Sequence, residues 1–134
     1  MTVRSSGSQP ILIEQDVVLA RQTARTLAQE CGMRLIDLTK LVTAVSELAR
    51  NTMVYGGGGD MDWQILDEPP RTGLRLVFRD EGPGIPDLKL AMTDGWTSGS
   101  GLGLGLTGAK RLVEEFELET EPGKGTRITI TRWT

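Results

Sequence analysis

The strongest constraint on the fold is a 20-residue amphipathic stretch, Leu35 to Val54, cut off by four consecutive glycines, Gly56 to Gly59. Leu38, Leu41, Val42, Val45, Leu48 and Ala49 recur at i, i+3, i+4 and i+7, the spacing of a single apolar stripe on an α-helix. A helix with one such stripe must lay it against another layer. The glycines stop it abruptly and allow a tight change of direction.

What lies on either side suggests that layer. Ile11-Leu12-Ile13, after Pro10, reads as a short strand. From Asp16, an expected N-cap, Val17, Ala20, Ala24, Leu27 and Ala28 repeat at helical spacing as far as Gly32. Beyond the glycines, Met61–Leu66 and Leu74–Phe78 read as strands. In the second, Leu74, Leu76 and Phe78 alternate with Arg75, Val77 and Arg79, the period of a sheet with one buried face. A helix is predicted from about Leu106 to Phe116, then strands near Glu117–Thr120 and Thr126–Thr131 around the turn Pro122-Gly123-Lys124-Gly125. The order predicts an α+β fold, a two-layer sandwich of a mixed β-sheet with helices on one face. One domain spanning residues 1–134 is expected, with the small polar residues 1–9 a flexible end.

Composition narrows the chemistry. The chain has no histidine and one cysteine, Cys31. Imidazole triads, self-phosphorylation on histidine, internal disulfides and multi-cysteine zinc sites are excluded. A net charge of -3 offers no basic surface for nucleic acid. The first residues lack the apolar core of a signal peptide, and no run reaches the ~18 apolar residues of a membrane span. The expected setting is the cytoplasm, with neither nucleic acid nor membrane as partner.

Three segments carry chemistry. In Ser46-Glu47-Leu48-Ala49-Arg50-Asn51, Glu47 and Asn51 are four residues apart and share one helix face, opposite the apolar stripe. A carboxylate there can serve as general base, and an amide oxygen beside it is a hard ligand suited to magnesium. The competing reading is a solvated helix face. Next, Asp80-Glu81-Gly82-Pro83-Gly84-Ile85-Pro86 follows a strand. A carboxylate only accepts hydrogen bonds, so Asp80 can take adenine's exocyclic amino group and repel guanine's carbonyl, while Gly82 and Gly84 admit a flat base. The alternative is an ordinary strand-ending turn. Third, Ser98-Gly99-Ser100-Gly101-Leu102-Gly103-Leu104-Gly105-Leu106 opens the helix bearing Lys110 and Arg111. Glycines exposing N–H groups ahead of a helix suit phosphate oxygens, and Gly101, Leu102, Gly103, Leu104, Gly105 and Leu106 are the candidate cradle. Met92–Gly105 is expected to be a mobile lid carrying Trp96, ordered by nucleotide.

Two lookalikes are rejected. Gly103 to Gly108 satisfies G-x-G-x-x-G, but no strand precedes it and the βαβ order is missing. Gly123-Lys124-Gly125-Thr126 lacks the Ser or Thr that must follow a P-loop lysine. It reads better as a hairpin turn with Thr126 at the base pocket.

The order of these segments resembles the N, G1, G2 and G3 boxes of the gyrase/Hsp90/histidine-kinase/MutL (GHKL) ATPases, from about residue 10 to 133. The resemblance implies their Bergerat ATP-binding fold, ATP and Mg2+ as ligands, Glu47 as catalytic base, Asn51 as magnesium ligand and Asp80 as the adenine contact. Glu47-Leu48-Ala49-Arg50-Asn51, Asp94-Gly95-Trp96-Thr97-Ser98 and Lys110-Arg111-Leu112-Val113-Glu114-Glu115-Phe116 look most like the anti-sigma-factor serine/threonine kinases, in particular the stressosome switch kinase. That likeness implies phosphorylation of STAS-domain antagonist proteins, followed by binding of a downstream effector such as a phosphatase. Two alternatives stand beside it: an anti-sigma or effector-binding module acting by sequestration, and the catalytic fragment of a histidine kinase, whose G2 box Gly103-Leu104-Gly105-Leu106 also resembles.

If Asp80 reads adenine, the protein binds ATP in preference to GTP. Asp80→Asn, which adds a donor to an acceptor-only position, should weaken that preference in a competition assay. Equal affinity of the unmodified protein for both nucleotides would remove the assignment.

Overall fold

The computed structural model describes residues 1–84 and 105–134. Strand β1 (Thr2–Ile11) leads into α1 (Glu14–Glu30) and α2 (Leu35–Val54). Then come β2 (Gly59–Glu68), β3 (Arg71–Asp80), α3 (Gly105–Arg111), β4 (Glu115–Glu121) and β5 (Gly125–Trp133). The strands form one five-stranded sheet in the order β1-β2-β3-β5-β4. The α+β reading holds, with one correction: every described strand pair is antiparallel, so the sheet is not mixed.

Residues 1–9 are the second correction, since they are not a loose end. Thr2 to Ile11 pairs along β2, from Thr2 opposite Asp67 to Ile11 opposite Gly59. The segment is too polar to announce a strand by its own pattern. Its neighbour supplies what it lacks: Trp63 lies across Gly7, where an added Cβ would come within 2.5 Å of the indole. Arg4 also pairs with Asp67.

Boundaries shifted where local chemistry outweighed the pattern. Asp16 is not the N-cap of α1 but its third residue. Its Oδ2 accepts the backbone N–H groups of Leu12 (2.9 Å) and Ile13 (3.1 Å), and the helix starts at Glu14. The last helix stops at Arg111 rather than running to Phe116, which lies in β4. Leu112, Val113 and Phe116 still pack on the core. Helix α2 occupies the expected residues, Leu35 to Val54.

The core lies between the helices and one sheet face. Val17, Ala20, Ala24 and Leu27 of α1 and Leu41, Val45 and Leu48 of α2 meet Met61, Ile65, Leu76, Phe78 and Ile130. Arg132 closes the lower end, where its Nη2 binds Asp37 at 2.6 Å and its Nη1 donates to the Leu112 carbonyl at 3.0 Å. That guanidinium holds the Asp37 carboxyl below its ordinary range. The pair's contribution is complete above the unfolded carboxyl's pKa, and fades as the pH falls through the depressed one.

Cys31 is buried, its Sγ 3.8 Å from the Gly73 carbonyl oxygen. Burial pushes its pKa up to about 11. The thiolate is the reactive form, so iodoacetamide at pH 8 should label the native protein far more slowly than the urea-unfolded chain. Equal labelling rates would show that Cys31 is open to solvent.

Candidate functional site

Glu47 and Asn51 sit in the last two turns of α2. This face of the helix is not solvated: Glu47 is 8% exposed, comparable with the apolar residues around it. Asn51 is half-buried, and its Oδ1 is a buried acceptor with no hydrogen-bond partner among the described residues. A buried amide oxygen left unpaired costs free energy comparable to a lost hydrogen bond. A magnesium ion is the kind of partner that would satisfy it, because hard oxygen donors suit Mg2+. Mg2+ sites commonly use one or two protein side chains, with phosphates and water completing the shell. The donor set therefore fits the ion.

After Val54 the chain turns sharply. The N–H groups of Tyr55 (2.9 Å) and Gly56 (3.2 Å) both donate to the Asn51 carbonyl, and Gly58 N–H donates to the Thr52 carbonyl at 3.0 Å. Gly57 and Gly58 have φ of 72° and 104°, values that side chains disfavour. Gly59 then enters β2 opposite Asp80, the last residue of β3. The sheet's register thus delivers Asp80 to the end of α2 that carries Asn51.

Asp80 is half-buried. Its Oδ1 accepts Gly82 N–H at 2.9 Å, and the Thr126 N–H also bonds to the carboxylate. Burial pushes its pKa up, opposed by these two hydrogen bonds. Partial desolvation makes the carboxylate a stronger acceptor for an incoming N–H group, and makes it easier to protonate as the pH falls. Thr126 faces Asp80 across the β3–β5 pair, and its hydroxyl lies 3.0 Å from that of Thr120. Gly84, with φ 76°, packs on the Glu121 carbonyl, and Pro83 accepts the Gly123 N–H at 2.8 Å. A cavity of about 840 Å3 opens at this end of the sheet, lined by Gly57, Asp80, Gly125 and Thr126 but also by Asp60 and Arg79; neither Glu47 nor Asn51 lines it.

Asn51, Asp80, Gly82 and Thr126 therefore gather at one end of the sheet, with Glu47 one helical turn behind Asn51. Gly105 and Leu106 begin α3, and Leu106 is buried in the core. Gly101, Leu102, Gly103, Leu104 and Trp96, with most of the proposed lid, lie outside the described residues. Thr120 escaped the sequence reading because nothing local distinguishes it; only the β4–β5 register sets its hydroxyl beside Thr126. Gly125 was legible only as a turn residue. With φ 94°, it lies so close to β3 that an added Cβ would overlap the Asp80 carbonyl oxygen and come within 2.9 Å of the Glu81 Cα.

Gly125→Ala should therefore cost more than ~1 kcal/mol, because both the backbone angle and the contact oppose a side chain. It should also displace Asp80, lowering nucleotide affinity. Thermal melts and calorimetric titration with ATP check both, and a variant as stable as the parent would contradict the geometry.

Known proteins match this arrangement. The family model for histidine kinase-, DNA gyrase B- and HSP90-like ATPases matches residues 36–133. The serine/threonine-protein kinase RsbT of Bacillus subtilis is 42% identical over 123 residues, covering 92% of each chain. The anti-sigma F factor of Clostridium novyi is 29% identical over 123 residues, covering 88% of this chain and 86% of that one. Two solved structures share the fold. One, of the RsbU and RsbW domains of Rv1364c from Mycobacterium tuberculosis, has TM-score 0.59 at 19% identity, with 94% of this chain covered but only 32% of that longer one. The other, the SiaB-SiaC complex from Pseudomonas aeruginosa, has TM-score 0.55 at 12% identity, covering 98% and 91%. The chain belongs to the histidine kinase-, DNA gyrase B- and HSP90-like ATPase family and is homologous to the serine/threonine-protein kinase RsbT and to the anti-sigma F factors.

Proposed function

We propose that this protein is an ATP-dependent serine/threonine kinase that phosphorylates STAS-domain antagonist proteins. Once released from them, it engages a downstream effector such as a phosphatase, as a partner switch in bacterial stress or sigma-factor signalling. The observation that carries the reading is the pair on α2: Glu47 at 8% exposure, and half-buried Asn51 one turn on, whose Oδ1 has no partner among the described residues. The substrate class follows from the resemblance to stressosome switch kinases, and the identity with RsbT supports it.

In this reading Asp80 accepts the adenine amino group, with Thr126 beside it, and the glycine-rich stretch ending at Gly105 and Leu106 holds the phosphates. Asn51 supplies an oxygen ligand to magnesium, which when bound offsets the negative charge of the phosphates. The Glu47 carboxylate accepts the proton of the serine hydroxyl as that oxygen bonds to the γ-phosphorus and ADP departs. Such a site works chiefly by positioning and charge stabilisation. The setting proposed is the cytoplasm; among the described residues no helix is long and apolar enough to cross a membrane.

A second reading rests on the identity with an anti-sigma F factor: nucleotide-dependent sequestration without phosphate transfer. Labelled ATP and candidate STAS partners, followed by mapping of the modified residue, separate the two. Under the kinase reading Glu47→Ala loses ~10²–10⁴-fold in transfer rate while keeping its nucleotide affinity. Asn51→Ala loses magnesium-dependent nucleotide binding as well. An unchanged transfer rate in Glu47→Ala would remove the base assignment, and nucleotide binding with no transfer to any partner would favour sequestration.

A further inference from the structure

Gly56 has so far served only to end α2. It belongs to none of the motifs that the sequence singles out, and its backbone is not in the left-handed region, so chain conformation alone does not demand glycine there. What demands it is contact. A Cβ built on Gly56 would overlap the Cβ and Cγ of Asp80 and come within 2.5 Å of Oδ2. All three nearest atoms belong to that one side chain. Gly82, whose N–H holds Oδ1, is pressed against Gly56 in turn: an added Cβ there would be 2.7 Å from the Gly56 carbonyl oxygen and 2.8 Å from its Cα. Gly56 is itself tied to α2, through its N–H bond to the Asn51 carbonyl.

Gly56 therefore bears on the Asp80 side chain from one side while Gly82 and Thr126 anchor the carboxylate by hydrogen bonds. We propose that Gly56 is a specificity-determining positioning residue: its bare Cα is the surface against which the Asp80 carboxylate is seated, and any side chain there would displace the group that distinguishes adenine from guanine. The inference rests on the reading of Asp80 as the adenine acceptor. It also gives the end of α2 a direct mechanical link to base selection, because Asn51 and Asp80 are both referred to the same residue.

A glycine away from the site provides a control. Gly32, between α1 and α2, has φ 83° but nothing within 4 Å of an added Cβ. Gly32→Ala should lose stability through backbone strain and keep its base preference. Gly56→Ala should do the reverse in kind: ATP affinity falls at least about tenfold, the cost of a lost hydrogen bond to a charged group, and the preference for ATP over GTP collapses. Calorimetric titrations with both nucleotides on the full chain, with melting temperatures alongside, read this directly. A folded Gly56→Ala that keeps the parental ATP:GTP ratio overturns the proposal.

If Gly56→Ala is too unstable to titrate, the Asp80→Gly background tests the contact itself. With the clashing side chain removed, Gly56→Ala should lower the melting temperature little further, whereas a fully additive loss overturns the proposal. Failure of the underlying reading looks different: the unmodified protein would then bind ATP and GTP equally, or Asp80→Asn would leave the base preference unchanged.

Discussion

Helix α2 is the element on which the rest depends, because it is enclosed by α1, α3 and the sheet at once. Leu38, Leu41, Val42, Ala44, Val45, Leu48, Ala49 and Thr52 are buried, and Glu47 joins them. Burying side chains of this size contributes on the order of 1.5–3 kcal/mol each for the larger ones, far more than the half-exposed Arg50–Glu14 ion pair that ties α2 to the start of α1. A helix gripped on so many sides cannot rotate about its axis. The direction in which Asn51 points is therefore set by apolar packing several residues away. The four glycines then transmit that placement to the sheet, since Gly59 enters β2 where a Cβ would overlap the Arg79 carbonyl.

The two ends of the molecule handle buried polarity differently in degree. At the lower end, the Arg132 guanidinium has Asp37 and the Leu112 carbonyl as partners, although its buried Nε has none among the described residues, and Trp133 bonds to Glu114 through its N–H and to Glu115 through its indole Nε1. At the upper end the Asn51 amide oxygen has no partner among the described residues and the Asp80 carboxylate is partly desolvated. An unpaired oxygen acceptor and a desolvated carboxylate are the departures that a bound ligand would complete. The outer face of the sheet follows a third pattern. Arg79 bridges Asp60 and Asp62, and edge strand β4 exposes Glu115, Glu117, Glu119 and Glu121 along its length, charges that discourage a further strand from adding there.

Legibility in the sequence followed how local the determining interaction was. Helix α2 could be read to the residue, because its stripe, its length and its glycine stop all lie within one segment. Strand β1 could not, because Ser5, Gly7 and Gln9 face the core without being apolar, and Trp63 of the next strand covers the gap. The end of α3 was misplaced for a related reason: Leu112, Val113 and Phe116 are core residues at helical spacing, yet they reach the core from a turn and a strand. At the candidate site the spacing of Glu47, Asn51 and Asp80 stood out because the chemistry depends on residue type. The parts played by Gly56 and Gly125 did not, because each is defined by a contact with a residue distant in sequence, and that of Thr120 did not because it depends on the exact register of the β4–β5 hairpin.

The strand order has a consequence for how the molecule assembles. Strand β5 lies between β3 and β4, so the β4–β5 hairpin, closed by the turn from Glu121 to Gly125, joins the rest of the sheet only through the docking of β5 on β3. The β2–β3 and β4–β5 hairpins can each form by themselves, the second already setting Thr120 beside Thr126, but Thr126 reaches Asp80 only when the two hairpins join. Such non-local pairing tends to slow folding. A half-assembled sheet would therefore expose Asp80 without its Thr126 partner, and base recognition would be among the last properties the domain acquires.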